Sequence, residues 1–356
     1  MDHVVVLHKS KLPRNVVSMI LSILDQSPVV RGRTSSEAIR ETMELVEQAD
    51  ALGYHRYWFA EHHGSASFAS AKPTVMMAHA AARTRRIRLG SGGILMGHAK
   101  PLDIAETIRT LEALAPGRID LGMGRAPGGD QRVMQALGYA PQRAPQNIVE
   151  TLKMLRDQRM ASNMGDVVAV PDIATDEAQP EVWMLGTSVD SARMAGEMGL
   201  RYAFGAFIDP TNMDAALGEY HRSFVASAWC ARPTTMVATV VFCAETTAEA
   251  QRIAECSEKW FVRSFLRGEN VRFPRSEDVV DVSAQERFIS QMRRQTVIIG
   301  NPQECRAQLE QLQRRTQCDE VAVVTITEGA EERLRSYQLL MVPGVIDAGR
   351  GDAGRH

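Results

Sequence analysis

Residues Gly53–Asp130 run GYHRYWFAEHHGSASFASAKPTVMMAHAAARTRRIRLGSGGILMGHAKPLDIAETIRTLEALAPGRIDLGMGRAPGGD. Three apolar, strand-like runs lie within them, Tyr54–Ala60, Ile87–Gly92 and Arg118–Met123. Between these runs the spacing predicts two helices, Pro73–Arg83 and Pro101–Leu114, with Ile104, Ile108, Leu111 and Leu114 as the buried face of the second. Each strand ends in residues suited to chemistry or to close ligand approach: Glu61-His62-His63, then Ser91-Gly92-Gly93, then Gly124-Arg125. Strand, helix, strand, helix, strand is the rhythm of a parallel α/β protein. In such proteins ligands sit at the carboxyl ends of the strands.

Upstream, Met19–Leu24 is a compact apolar run ending in the turn formers Asp25-Gln26-Ser27-Pro28. Thr34-Ser35-Ser36-Glu37 fits a capping box, and Gly53 fits the residue that ends the following helix. Downstream, strands are expected at Val182–Leu185, Tyr202–Phe204, Met236–Cys243 and Glu320–Ile326, giving eight interior strands in all. Helices are expected at Asn147–Arg159, Ser191–Gly199, Met213–Ala228, Ala248–Leu266, Ala284–Arg294, Pro302–Arg315 and Glu331–Leu340, and a short extra strand at Val297–Ile299. The expected fold is an α/β (β/α)8 TIM barrel with an excursion between strands 4 and 5 (within 138–180) and a helical insertion before strand 8. It spans 18–345 as a single domain, after an N-terminal extension (1–17) and before a disordered tail (346–356) rich in Gly, Asp and Arg.

The 356 residues carry a formal net charge of −2 and are 44% hydrophobic. This balance gives no reason to expect nucleic acid or an anionic membrane as a partner. No apolar run approaches the roughly 20 residues of a membrane helix, and the N-terminal apolar core is too short for a secretory signal. The five cysteines show no CxxC spacing and read as reduced, buried thiols, so the expected location is cytoplasmic.

Four clusters could carry chemistry. At Glu61-His62-His63 a strand-end imidazole can move protons near neutral pH; the other reading is a packed, hydrogen-bonded histidine. Neighbours on a strand point to opposite faces and the HExxH pattern is absent, so no metal site is expected. Gly92 and Gly93 permit close backbone approach, or mark a bulge. In Gly122–Gly129 the third glycine of a dinucleotide fingerprint would fall at Pro127, so Arg125, a planar charged fork suited to phosphate, is the residue of interest. Thr187, Ser188 and Ser191 stand at a helix N-terminus, either an ordinary cap or an anion site.

The wording WFAEHH, LGSGG and PLDIAETIRTLEALAPGRIDLGMGRAPGGD resembles the bacterial-luciferase-like, flavin-dependent monooxygenases, most strongly over Ser18–Gly138 and again over Val182–Phe204 and Val297–Met341. The resemblance implies His62 as the catalytic histidine beside the flavin and a cis peptide at Gly92–Gly93 under the isoalloxazine ring. It implies a phosphate pocket formed by Arg125, Thr187, Ser188 and Ser191. It further implies reduced FMN, supplied by a separate flavin reductase as transient partner, with O2 and a small organic substrate, and the expected setting is natural-product or secondary metabolism. A homodimer through Pro73–Arg83 and Pro101–Leu114, using Met76, Met77, Ala80, Ala81 and Ala105, also follows from the resemblance. Hydride transfer with a deazaflavin, and a non-catalytic flavin-binding subunit, are the alternative readings. The chain departs from the family at Gly64, where relatives carry Asn, and at Gly97-His98-Ala99-Lys100, which the family places on the substrate side.

Overall fold

Alternation of side chains along eight parallel strands makes the barrel. They are β1 (Ile20–Asp25), β2 (Arg56–Phe59), β3 (Arg88–Ser91), β4 (Ile119–Gly124), β5 (Glu181–Gly186), β6 (Arg201–Gly205), β7 (Thr235–Cys243) and β8 (Glu320–Val324). Each pairs in parallel with the next, and β8 pairs back onto β1 through Ile20↔Glu320 and Ser22↔Ala322, which closes the sheet. The computed structural model describes residues 19–156, 160–162, 165–172 and 179–341. The expected extension (1–17) and tail (346–356) lie outside the described residues, as do parts of the excursion.

Outward residues such as Tyr57, Phe59, Leu89, Val182 and Val321 meet the helices in one apolar cluster. Inward residues, among them Leu24, Trp58, Trp183, Met236 and Ala322, form a second. The helix Ser35–Leu52 starts on the expected capping box of Thr34 and Glu37 and ends at Gly53 with φ +86°. Pro73–Arg83 and Pro101–Leu114 form as expected, each with proline in its first turn, where the missing N–H costs nothing. Of the residues expected to face a partner, Met76, Met77, Ala80 and Ala105 are buried against the barrel. Leu114, expected on the buried face of its helix, is instead 66% exposed, as is Val75.

The excursion after β4 carries helices Gln131–Leu137 and Ala144–Leu155 and an antiparallel hairpin of Met160–Ser162 with Gly165–Val167. Its second helix starts three residues before the expected Asn147, because Pro145 is admitted in the first turn. Met213–Ala228 is shortened to Met213–Ser223, where Phe224 turns extended and Val225 N–H donates to the Gly196 carbonyl. The long helix expected at Ala248–Leu266 is α-helical to Trp260 and then widens into a π turn, Phe261–Leu266. The leftover strand, Ile298–Gly300, pairs with the carboxyl half of β7 outside the closed barrel. All five cysteines are buried and free, and no helix among the described residues is long and apolar enough to cross a membrane.

The amino-terminal end of the barrel is plugged by charge. Arg56 donates to Asp120 (2.7 Å), Glu320 (2.7 Å) and Glu181 (3.1 Å), and Arg88 donates to the other oxygen of Asp120 (2.7 Å). Burial alone would drive Arg56 toward its neutral form, but Asp120, Glu320 and Glu181 hold its pKa above that of ordinary arginine. Burial likewise disfavours the Asp120 carboxylate, yet Arg56, Arg88 and the Trp58 indole keep its pKa below the usual range.

Removing one partner from a buried pair leaves the other charge uncompensated. Arg56→Ala is expected to lower unfolding free energy by about 3–5 kcal/mol, read as a lower urea midpoint. Arg315→Ala, in an exposed pair with Asp214 (side chains 61% and 58% exposed), serves as control and is expected to stay within about 0.5 kcal/mol of wild type. Equal midpoints for the two variants would show that the plug is not stabilising.

Candidate functional site

Above the plug the barrel opens into a cavity of about 530 Å3 at the carboxyl ends of the strands. Its floor begins with Trp58, whose indole donates to Asp120 (2.9 Å) and stands edge-on to Trp183 (5.5 Å between centroids). A side chain at Gly90 would collide with the Trp58 indole and come within 2.7 Å of Asp120 Cβ, so glycine is what lets the indole lie there. The bond Gly92–Gly93 is cis, as the resemblance implies. A Cβ on Gly92 would strike Leu24, and one on Gly93 would lie 2.7 Å from the Gly122 carbonyl oxygen. Backbone rather than side chain therefore forms this part of the wall.

His62, Gly92, Gly93, Arg125, Thr187, Ser188 and Ser191 all line this one cavity. At the end of β2, the His62 ring stacks on Phe68 (4.5 Å, 29°) and its backbone N–H donates to Ser70 O (2.8 Å). Phe68 is packed in turn against Trp260 and Phe273. The segment carrying Phe273 is fixed by Ser67, whose hydroxyl donates to Val271 O (2.5 Å) and accepts from Trp260 Nε1 (2.8 Å). Burial, with a smaller contribution from His63, pushes the His62 pKa down to about 4. Its Nδ1 is buried without a hydrogen-bond partner. The imidazole is thus neutral at physiological pH, with one nitrogen uncommitted.

His63 does leave on the other side of the chain. Its Nε2 lies 2.8 Å from Glu61 Oε1, and its ring meets His98 edge-on at 5.4 Å. His98 Nε2 is 3.4 Å from the same oxygen, while Glu61 Oε2 accepts from Leu95 N–H (2.9 Å). Glu61 lines the cavity; His63 and His98 stand behind it. These three residues place ligand-type atoms within 4.8 Å of one another. Adjacency reasoning about His62 and His63 could not reveal this, because His98 comes from a loop 35 residues further on. The departure at Gly64 also has a local cause. Its φ is +61°, a conformation Asn and Gly both tolerate, but a Cβ there would strike Val133.

At the β4 and β5 corner, Arg125 NH1 touches Asp190 at 3.4 Å, and that carboxylate is 71% exposed. The helix Val189–Glu197 opens with Ser188 accepting from Ser191 N–H (3.1 Å). The Ser191 hydroxyl donates to Ser188 O (2.7 Å) and lies 3.1 Å from the Tyr202 hydroxyl. Ser191 therefore braces the turn, and the Thr187 hydroxyl, without a partner among the described residues, is the freer one. The opposite wall was not read from the sequence as part of the site. Trp260 ends the α-helical part of Thr247–Trp260, Phe261 and Phe265 come from the π turn and Arg293 from the helix Ala284–Arg294, and their helical periodicity gives no hint that they close on the strand ends.

The sequence pattern of the luciferase-like monooxygenases matches residues 19–317. An N-acetyl-S-alkylcysteine monooxygenase of Bacillus subtilis is 32% identical over 90% of this chain and 96% of its own length. The solved structure of apo-MsnO8 is similar with a TM-score of 0.79 and 32% identity, over 91% of this chain and 97% of that one. The oxygenating constituent of 3,6-diketocamphane monooxygenase from Pseudomonas putida, solved in complex with FMN, shares the fold at a TM-score of 0.69 and 19% identity, over 91% and 97% of the two chains.

The folded chain keeps His62 neutral where the unfolded chain would protonate it, so unfolding takes up a proton between the ordinary histidine value and about 4. This contribution to stability is complete above the unfolded value, about 6.5, and declines as the pH falls. An NMR titration of the His62 ring is expected to show a midpoint near 4. A midpoint near that of free histidine would mean the ring is open to bulk water.

Proposed function

The chain belongs to the luciferase-like monooxygenase family, and we propose that it oxygenates a small organic substrate with O2, using reduced FMN delivered by a separate reductase. One observation carries this reading. A single cavity presents a loosely held arginine beside a helix N-terminus and, at the end of β2, a neutral imidazole. The residues fit FMN chemically. Arg125 can exchange its long contact with an exposed carboxylate for a phosphate, and the amides and hydroxyls around Thr187 and Ser188 offer further donors. The apolar floor, with bare backbone at Gly92 and Gly93, suits a flat ring. The FMN complex of a protein with this fold, and the small-molecule substrates named for the Bacillus subtilis relative, support the same reading.

When bound, reduced FMN would supply the electrons and the carbon centre at which O2 is activated. The protein's own part is to hold, orient and dry the site. Arg125, Thr187 and Ser188 would anchor the phosphate, and Trp58, Leu185 and Val324, which line the same cavity, would help exclude water from the ring. His62, which lines the cavity and is kept neutral by its burial, would accept or return a proton through its imidazole.

Arg125→Ala is expected to weaken FMN binding by about one to two decades, the loss of a charge-assisted phosphate contact. Riboflavin, without the phosphate, should bind wild type and variant alike. Equal losses for both would make Arg125 structural. His62→Ala should bind FMN nearly as wild type does, yet react in stopped flow with O2 and oxygenate about 10²–10⁴-fold more slowly. Wild-type rates in that variant would remove His62 from the chemistry. Binding of reduced deazaflavin but not of reduced FMN by the wild-type protein would overturn the proposal as a whole.

A further inference from the structure

Arg293 is the feature of the cavity that the flavin does not explain. The strands flanking the Arg125 corner are β4 and β5, whereas Arg293 lines the wall above β7 and β8, across the barrel. It stands in the last turn of Ala284–Arg294, a helix tied to the π turn by Arg267, whose Nε donates to Glu286 (2.7 Å). Its guanidinium carbon lies 4.4 Å from the centre of the Phe261 ring, and Phe261 is buried while its stacking partner Phe265 is 59% exposed at the mouth. The charge is thus held at the inner ring of the pair.

Among the described residues no hydrogen bond or ion pair engages this guanidinium. Glu258, whose charge acts on this guanidinium, is paired with Arg294 at 3.1 Å instead. Burial disfavours the Arg293 charge, which Glu258 offsets only in part. An arginine cannot escape by losing its proton, so a cation in an apolar wall stays under-compensated until an anion meets it. Its planar fork matches a carboxylate, with two parallel N–H···O bonds. The surrounding Phe261, Phe265, Val240 and Ile326 suit an apolar body attached to that carboxylate.

We propose that Arg293 is the specificity residue of the substrate half of the cavity, and that the substrate is a small organic carboxylate with an apolar body. The proposal rests on the monooxygenase reading above for what is done to that molecule, but the recognition is a binding event that can be measured without turnover.

The probes are hexanoate and hexanamide, alike in size and differing in charge, titrated calorimetrically into the FMN-loaded protein. FMN affinity is measured on the same preparations. Wild type is expected to bind hexanoate at least tenfold more tightly than hexanamide. Arg293→Gln should weaken hexanoate about 10- to 100-fold and leave hexanamide and FMN unchanged. Arg293→Lys, which keeps the charge but not the fork, should recover part of the preference. Equal binding of acid and amide by wild type, no binding of either, or a loss of FMN affinity in Arg293→Gln would each overturn the inference. Failure of wild type to bind FMN at all would instead count against the flavin reading, and the acid-over-amide preference would then be judged on the flavin-free protein.

Discussion

The guanidinium of Arg56, inside the barrel and shared among Asp120, Glu181 and Glu320, is the constraint on which the site depends. It links β2 to β4, β5 and β8, strands far apart in sequence and on opposite sides of the barrel. Such a cluster is a costly way to fill a core, since each ion must be taken out of water. What it provides is direction. Asp120 spends its remaining capacity on Arg88 and on the Trp58 indole, and Trp58 is the first surface of the cavity above. The closed end of the barrel therefore sets the orientation of the open one.

Above that floor the cavity has two chemical ends. One, at the β4 and β5 corner, combines Arg125 with a helix N-terminus, each polar group only lightly engaged. The other, formed by Trp260, Phe261, Phe265, Val240 and Ile326, is aromatic and aliphatic apart from Ser257 and the Arg293 guanidinium. His62 stands at the end of β2, packed on Phe68 and kept neutral by its surroundings. An apolar enclosure with few polar groups, each leaving capacity unused, is the arrangement expected of a site that completes its hydrogen bonding with ligands.

The segments outside the eight strands make this enclosure. The chain between the π turn and Ala284–Arg294 crosses to the loop after β2, where Asn270 accepts from Ala66 N–H (2.7 Å) and donates to Gly64 O (2.9 Å). Trp260 and Phe273, stacked at 4.8 Å, back the Phe68 ring on which His62 lies. The catalytic candidate is thus supported by residues about 200 positions away, and the insertion before β8 is part of the site rather than a decoration of the barrel.

The sequence by itself determined the barrel and half of the site. Apolar runs, turn formers and helical spacing are local signals, and they located all eight strands and the helices at Pro73–Arg83 and Pro101–Leu114. The rule that parallel strands present ligands at their carboxyl ends put His62, Gly92, Gly93 and Arg125 at one end of the barrel, the resemblance added Thr187, Ser188 and Ser191, and all seven line one cavity. Tertiary structure alone decided which of these groups are free. That Ser191 is committed to Ser188 and Tyr202, or that His62 Nδ1 has no partner, depends on neighbours no local pattern specifies. Burial of Met76, Met77, Ala80 and Ala105 against the barrel likewise depends on which helix face meets it. The charged plug, the trio Glu61, His63 and His98, and Arg293 at the cavity wall were illegible for the same reason. Each is a convergence of residues from separate strands or loops, and sequence spacing encodes periodicity along one element, not distance between two.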